Sequence, residues 1–232
     1  MVCLQEIKAS PDDIPLVLFA LEDYWCYWHG GKGYSGVALH VRKDVARDRP
    51  AVSHPAFDHE HRIASVEIGT AEGPLTVASV YVPNGGKDFP AKVRFLDAMR
   101  DYAESFQRAE RALVLCGDLN VARAAIDVHP KERKPRAIGQ LPEERAQLER
   151  ILEQGLVDLG RTLDPDNEGL FTWWPPWRNM RERNIGWRLD YVLASATLAS
   201  RAESCAVQKD VGTSDHAPVV AGFSGPSPLV VF

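Results

Sequence analysis

Gly212-Thr-Ser-Asp-His-Ala-Pro-Val-Val220 puts an acid and an imidazole side by side at the start of a short apolar run. Successive strand residues point to opposite faces, so Asp215 and His216 can serve one site only from the turn entering the Val219–Val220 strand. Pro218 suits that edge, because it has no N–H to give to a ladder. Alone, the pair reads equally well as a solvated turn. Four other stretches share its design of an apolar run with a carboxylate, amide or phenol at or near the end. They are Val2-Cys-Leu-Gln-Glu-Ile7, Ser79-Val-Tyr-Val-Pro-Asn84, Leu113-Val-Leu-Cys-Gly-Asp-Leu-Asn120 and Trp187-Arg-Leu-Asp-Tyr-Val-Leu193. Five strands delivering groups with affinity for cations or phosphate read as one composite site at the end of a sheet.

The 232 residues are 45% hydrophobic and 25% charged, which fits one globular domain with a large core. The apolar run Leu16 to Leu21 is too short to span a bilayer and follows acids, not a basic signal-peptide head. A soluble, intracellular protein is expected. Four cysteines, at 3, 26, 116 and 205, form neither a paired pattern nor a Cys-x-x-Cys clip, which argues against a disulfide framework and structural zinc. A net charge of −5 argues weakly against nucleic acid, but its distribution matters more. Lys131 to Arg136 carries four bases against one acid, and Arg178 to Arg188 holds four arginines against Glu182. Both segments lie between the proposed site strands and could line a phosphate track, or simply be solvated loops.

Taken in order, Met1 to Ile7 reads as a strand, and Ser10 to Glu22 as a turn and short helix. Tyr24 to Trp28 leads through the turn His29-Gly-Gly-Lys-Gly33 into the strand from Gly36 to Val41. That turn lacks the spacing of a P-loop. His54, His59 and His61 match no standard zinc spacing and read as an exposed loop. Strands are expected from Arg62 to Ile68 and Leu75 to Val82. Phe89, Val93, Leu96, Met99, Ala103 and Phe106 recur at helical spacing, so the segment should cover a sheet. Gly117 should allow a tight turn that projects Asp118 and Asn120 together. A second helix opens at Pro142 and stops at Gly155, packed through Leu148, Ile151 and Leu152. Leu170 to Trp177 is the most aromatic run and leads into the arginine cluster, a mixture suited to stacking on sugars and bases. Residues 224–232, rich in Gly and Pro, are expected to fray.

Gln5-Glu6, Tyr81-Val-Pro-Asn84, Gly117-Asp-Leu-Asn120, Gly186-Trp-Arg-Leu-Asp-Tyr191 and Ser214-Asp-His-Ala-Pro218 resemble, in this order, the exonuclease III branch of the endonuclease/exonuclease/phosphatase superfamily. The resemblance runs from Met1 to about Phe223, read as one domain covering residues 1–223. It implies an α/β four-layer sandwich: two packed mixed β-sheets flanked by helices. Relatives begin with one more strand, bearing an Asn near the metal, and a helix. Both are lacking before Met1, so a late start codon or a gap in the sheet is expected. The residues themselves offer candidates for phosphodiester hydrolysis. Glu6, Asp118, Asn120 and Asp215 offer oxygen ligands, which suits Mg²⁺ or Mn²⁺ over zinc; His216 is counted with them as a ligand. Asp118 would deprotonate the attacking water with Asn120 holding it, and Asp190 would fix His216 against the phosphate. Tyr81 can donate to a phosphoryl oxygen, with Asn84 and Lys87 as further phosphate contacts. By resemblance, Trp173, Trp187 and Leu189 form an apolar pocket for an extruded base-less sugar, while Trp177, Arg178 and Arg181 lie against the duplex. The implied protein is a cytoplasmic, nucleoid-associated monomer acting on double-stranded DNA at abasic or 3′-blocked sites. It would be an endonuclease with possible 3′-exonuclease and 3′-phosphatase activity. A catalytically silent nucleic-acid-binding relative is the alternative.

Overall fold

Alternation in the central strands sets the layers. In the computed structural model, which describes residues 1–19, 23–225 and 229–231, the strands in chain order are β1 (Val2–Gln5), β2 (Tyr24–His29), β3 (Val37–Arg42), β4 (Val52–Ser53), β5 (Ile63–Thr70), β6 (Gly73–Tyr81), β7 (Ala112–Asp118), β8 (Leu156–Asp158), β9 (Asp190–Ser195), β10 (Ala202–Val207), β11 (Val219–Phe223) and β12 (Leu229–Val231). The helices are α1 (Leu16–Phe19), α2 (Phe89–Arg108), α3 (Pro142–Leu152), α4 (Leu159–Leu163) and α5 (Ala196–Ala199). Six strands form one mixed sheet in the order β4-β5-β6-β7-β9-β8. On its inner face Val77, Val114, Cys116, Val192 and Ala194 pack with Val37, Leu39 and Val41 of β3 and with Ala221 and Phe223 of β11. On its outer face Ala78, Val80, Leu113, Leu115 and Leu193 pack with Phe95, Leu96 and Met99 of α2 and with Leu148 and Ile151 of α3. Period-2 strands and period-3.6 helices thus build two separate cores.

The second sheet layer is not continuous. It consists of two antiparallel three-stranded sheets, β1-β3-β2 and β10-β11-β12. Between them lies a cleft of about 640 Å³, walled by Val2 to Gln5 on one side and Pro218–Val219 on the other, with Cys116, Gly117 and Val192 also lining it. The expected fraying of residues 224–232 fails at Leu229–Val231, which pair with β11. The physical reason is the open edge of β11, whose ladder accepts this apolar run. The Met1 ammonium donates to Val230 O at 2.6 Å. The outer helical layer is uneven: α2 and α3 cover the six-stranded sheet, while the short α1 packs near β2. The helix expected over residues 10–22 resolves into a 3₁₀ turn at Pro11–Asp13 and α1, and residues 20–22 fall outside the described segments.

α2 begins as its sequence demands. Asp88 accepts from Ala91 N at 2.9 Å and Pro90 lies in the first turn, where a missing N–H costs nothing. The β5–β6 hairpin is closed in register at Thr70 and Gly73, which places Tyr81 at the end of β6. No helix among the described residues is long and apolar enough to cross a membrane. Cys3, Cys26 and Cys116 are buried, and Cys205 is half-buried.

Candidate active site

Register builds the site. Tyr81 pairs with Asp118 across the parallel β6–β7 ladder, and Asp118 pairs with Asp190 across the antiparallel β7–β9 ladder. One row therefore carries a phenol and two carboxylates across three neighbouring strands. It sits on the inner face, just beyond Val114, Cys116 and Val192 of the core. Gly117 is required by close approach as well as by its φ of 135°. An added Cβ would fall 2.1 Å from Val80 O and 2.9 Å from Gln5 Nε2. The expected tight turn is thus a strand position, with Gln5 packed over it and donating to Ser79 Oγ at 2.9 Å.

Asp118, 4% exposed, accepts from Asn120 N at 2.8 Å and from Asn120 Nδ2 at 2.9 Å. Burial, and then the facing charge of Asp190, push its carboxyl up to about 7. Like charges opposite one another on paired strands repel, so one of the two holds a proton more readily. His216 enters from the turn before β11 with Nδ1 2.9 Å from Asp190 Oδ2. Burial opposes protonation of the ring, but the Asp190 carboxylate beside it prevails and lifts the imidazole to about 10. Thr172 Oγ1 fixes the Asp190 end of β9 by accepting from Leu189 N at 2.9 Å and Asp190 N at 3.0 Å.

Glu6 follows β1 in a left-handed conformation, φ 54°, and faces Tyr81, whose hydroxyl donates to it. Lys8 Nζ lies 2.7 Å from the other carboxylate oxygen. Burial tends to raise the Glu6 carboxyl, but the hydrogen bonds from Lys8 and Tyr81 outweigh it and hold the group low. Tyr81 is raised by burial and by the Glu6 carboxylate. Asp215 is exposed and accepts from Trp173 Nε1 at 2.9 Å.

The expected metal ligands differ in how open they are. Glu6 and Asp215 keep exposed carboxylates, a donor set that suits a hard cation retaining several waters. Asn120 is otherwise engaged: its amide donates to Val82 O and Asp118, and its oxygen accepts from Asn84 Nδ2 at 3.1 Å. A protonated His216 has no lone pair free for a cation.

Of the expected DNA contacts, Trp173, Trp187 and Leu189 do come together with Ala122 and Val128 in one apolar cluster. The indole N–H of Trp187 is buried without a partner among the described residues. Asn84 and Lys87 are exposed in the loop after β6. Trp177 is 57% exposed and Arg178 is exposed. Arg181 differs from expectation: its guanidinium donates to Lys209 O at 2.8 Å and Val211 O at 3.0 Å, and also to Ser214 O. It braces the loop that carries Asp215. Arg188, grouped by sequence with the basic track, is 2% exposed and forms buried ion pairs with Asp127 and Asp158.

Sequence reasoning passed over Lys92. Its ammonium is buried, donates to Asn120 O at 2.7 Å and Asn84 O at 3.1 Å, and pairs with the buried Glu144. Its signal was present, since a lysine stands within the apolar stripe of α2 between Phe89 and Leu96. Arg62 was missed too. It lies over the Tyr81 ring at 4.8 Å and donates to Tyr81 O at 3.5 Å.

Residues 1–216 match the Endonuclease/Exonuclease/phosphatase family. The chain is 34% identical over 225 residues to an exodeoxyribonuclease of Bacillus subtilis (strain 168), covering 94% of this chain and 86% of that protein. It is 36% identical over 232 residues to the DNA repair nuclease APEX1 of Danio rerio, covering 94% of this chain and 71% of that one. Among solved structures it is similar to the 3′ phosphatase NExo from Neisseria bound to a product DNA hairpin, with a TM-score of 0.84 and 28% identity over 96% of this chain and 88% of the other.

Proposed function

The chain belongs to the endonuclease/exonuclease/phosphatase family, and from that premise we propose that it is a DNA repair nuclease. It hydrolyses phosphodiester bonds at abasic sites and removes blocking groups from 3′ ends. What carries the reading is the row of Tyr81, Asp118 and Asp190 closed by His216. Asp118, oriented by Asn120, takes the proton of the attacking water, and a carboxyl titrating near neutrality suits a general base. His216, kept charged by Asp190, and the Tyr81 hydroxyl donate to the phosphoryl oxygens. Glu6 and Asp215 would hold Mg²⁺, which supplies charge neutralisation at the phosphate when bound.

The clustering of Trp173, Trp187 and Leu189 supports selection of an extruded sugar without its base, since an apolar lining selects by fit. Asn84, Lys87, Trp177 and Arg178 would contact the flanking duplex. The test is cleavage of a duplex with one abasic site, an intact duplex and a 3′-phosphate primer, each with and without Mg²⁺. Mg²⁺-dependent incision at the abasic site is expected. Binding of all three substrates without product at any metal concentration would instead identify a silent relative of the same fold.

A further inference from the structure

Away from the row of carboxylates, the fold brings together His29, His54 and Asp58, whose ligand atoms all lie within 4.8 Å of one another. Among the described residues this is the one group of three or more histidines, cysteines or acids so arranged. His29 closes β2, His54 follows β4, and Asp58 lies in the loop before β5. We propose that these residues form a second cation site, for a borderline transition metal of the Zn²⁺ class. Two imidazoles and one carboxylate are a donor set that zinc accepts and Mg²⁺ does not favour. Tetrahedral bonds of about 2.0–2.1 Å put ligands about 3.3 Å apart, a spacing reached when the stacked imidazoles turn about their side-chain torsions to aim both lone pairs at one ion.

The surroundings are those of a supported site. Asp58 Oδ1 accepts from the backbone N–H of Arg62 at 2.8 Å and of Ile63 at 3.1 Å, which aims Oδ2 at His29 Nε2, 2.6 Å away. Such outer contacts fix a ligating carboxylate in advance. The His29 and His54 rings stack with centroids 3.8 Å apart, and His61 meets His29 edge-on at 4.7 Å. The loop also stores strain: Glu60 and His61 are consecutive non-glycine residues in the left-handed region, at φ 57° and 58°. Strain of this kind persists where the surroundings impose it and is common at ligand sites. A cation here would clamp the segment that ends in Arg62, the residue lying over Tyr81. Water completes the coordination on the side of the exposed His54.

The test uses the full chain, stripped with a chelator and titrated with Zn²⁺ alone in excess Mg²⁺, with bound metal measured by dialysis and elemental analysis. One Zn²⁺ per chain should resist Mg²⁺. His54→Ala and His29→Gln should each weaken it by more than about 100-fold, the upper end of what loss of an outer contact costs. Glu6→Gln should leave it unchanged. Co²⁺ should give the visible absorption of a four-coordinate site, absent in His54→Ala. His54 is exposed, so that variant should keep its thermal midpoint in the stripped state. Unaltered Zn²⁺ binding in His54→Ala, or loss of binding in Glu6→Gln instead, would overturn the proposal.

Discussion

At the scale of single residues, the Asp190–His216 contact makes two predictions. Asp118→Asn and His216→Ala should each reduce abasic-site incision by orders of magnitude while DNA binding stays within a few-fold, because the proposed mechanism uses both in the chemical step. Asp190→Asn should resemble His216→Ala, and the double variant should be little worse than either, since groups acting as a unit are non-additive; full additivity would sink the pairing. The second prediction concerns pH. On the proposed mechanism the rate needs Asp118 ionised and His216 protonated, so it should rise as pH passes through about 7 and fall as it passes through about 10. Bound Mg²⁺ favours the ionised carboxylate and moves the acid limb lower. Asp190→Asn should bring the alkaline limb down towards the ordinary imidazole range. For stability the sign follows from the same group. The folded imidazole holds its proton more tightly than the unfolded one, whose value is 6.5. Its contribution is complete below about 6.5 and lost as pH rises through about 10. Denaturant titrations of the metal-free protein and of His216→Ala across that window measure the difference.

At the scale of elements, Lys92 and Glu144 tie α2 and α3 to the loops holding Asn84 and Asn120. Removing one partner strands a buried charge, so Lys92→Ala should cost about 3–5 kcal/mol in chemical denaturation. Replacing both, as Lys92→Met with Glu144→Gln, should restore most of that stability while kcat stays depressed, since the two loop carbonyls lose their shared donor. Full recovery of rate in the double variant would remove Lys92 from the positioning of Asn120. The strands and the two long helices were legible because alternation and helical spacing are properties of the sequence itself. The interior ion pairs were not. Arg188 and Arg178 sit in one basic run, yet the segment entering β9, held by Arg188 N donating to Asp127 O, turns the first towards Asp127 and Asp158 and leaves the second in solvent. Composition cannot separate them. β12 escaped for a related reason: a short apolar run after Gly and Pro reads as a frayed end until a neighbouring edge is there to pair with it.

At the scale of the whole molecule, a net charge of −5 coexists with a face that must meet phosphates. Arg178 and Arg183 are exposed, whereas the Arg181 guanidinium is spent on the Lys209–Ser214 loop. Losing Arg178 and Arg183 together should therefore lower the slope of log K against log salt by about 1 for each phosphate contact removed, with the melting temperature unchanged. Arg181→Ala should do the reverse, lowering the melting temperature and kcat through the loop bearing Asp215 while leaving the slope nearly intact. The five motifs each mark an end of a strand, which is why Tyr81, Asp118, Asp190 and His216 could be grouped from the sequence. They could not predict the divided second layer, which depends on how the sheet edges close in space. The row that joins Tyr81, Asp118 and Asp190 also has a kinetic meaning. A slip of one residue between β6, β7 and β9 would turn the slipped strand's whole set of side chains to the other face. A collapsed chain with wrong pairing would thus be inert even if its tryptophans were already shielded. During refolding, recovery of incision should lag the change in tryptophan fluorescence, making the enzyme a clock for correct strand pairing.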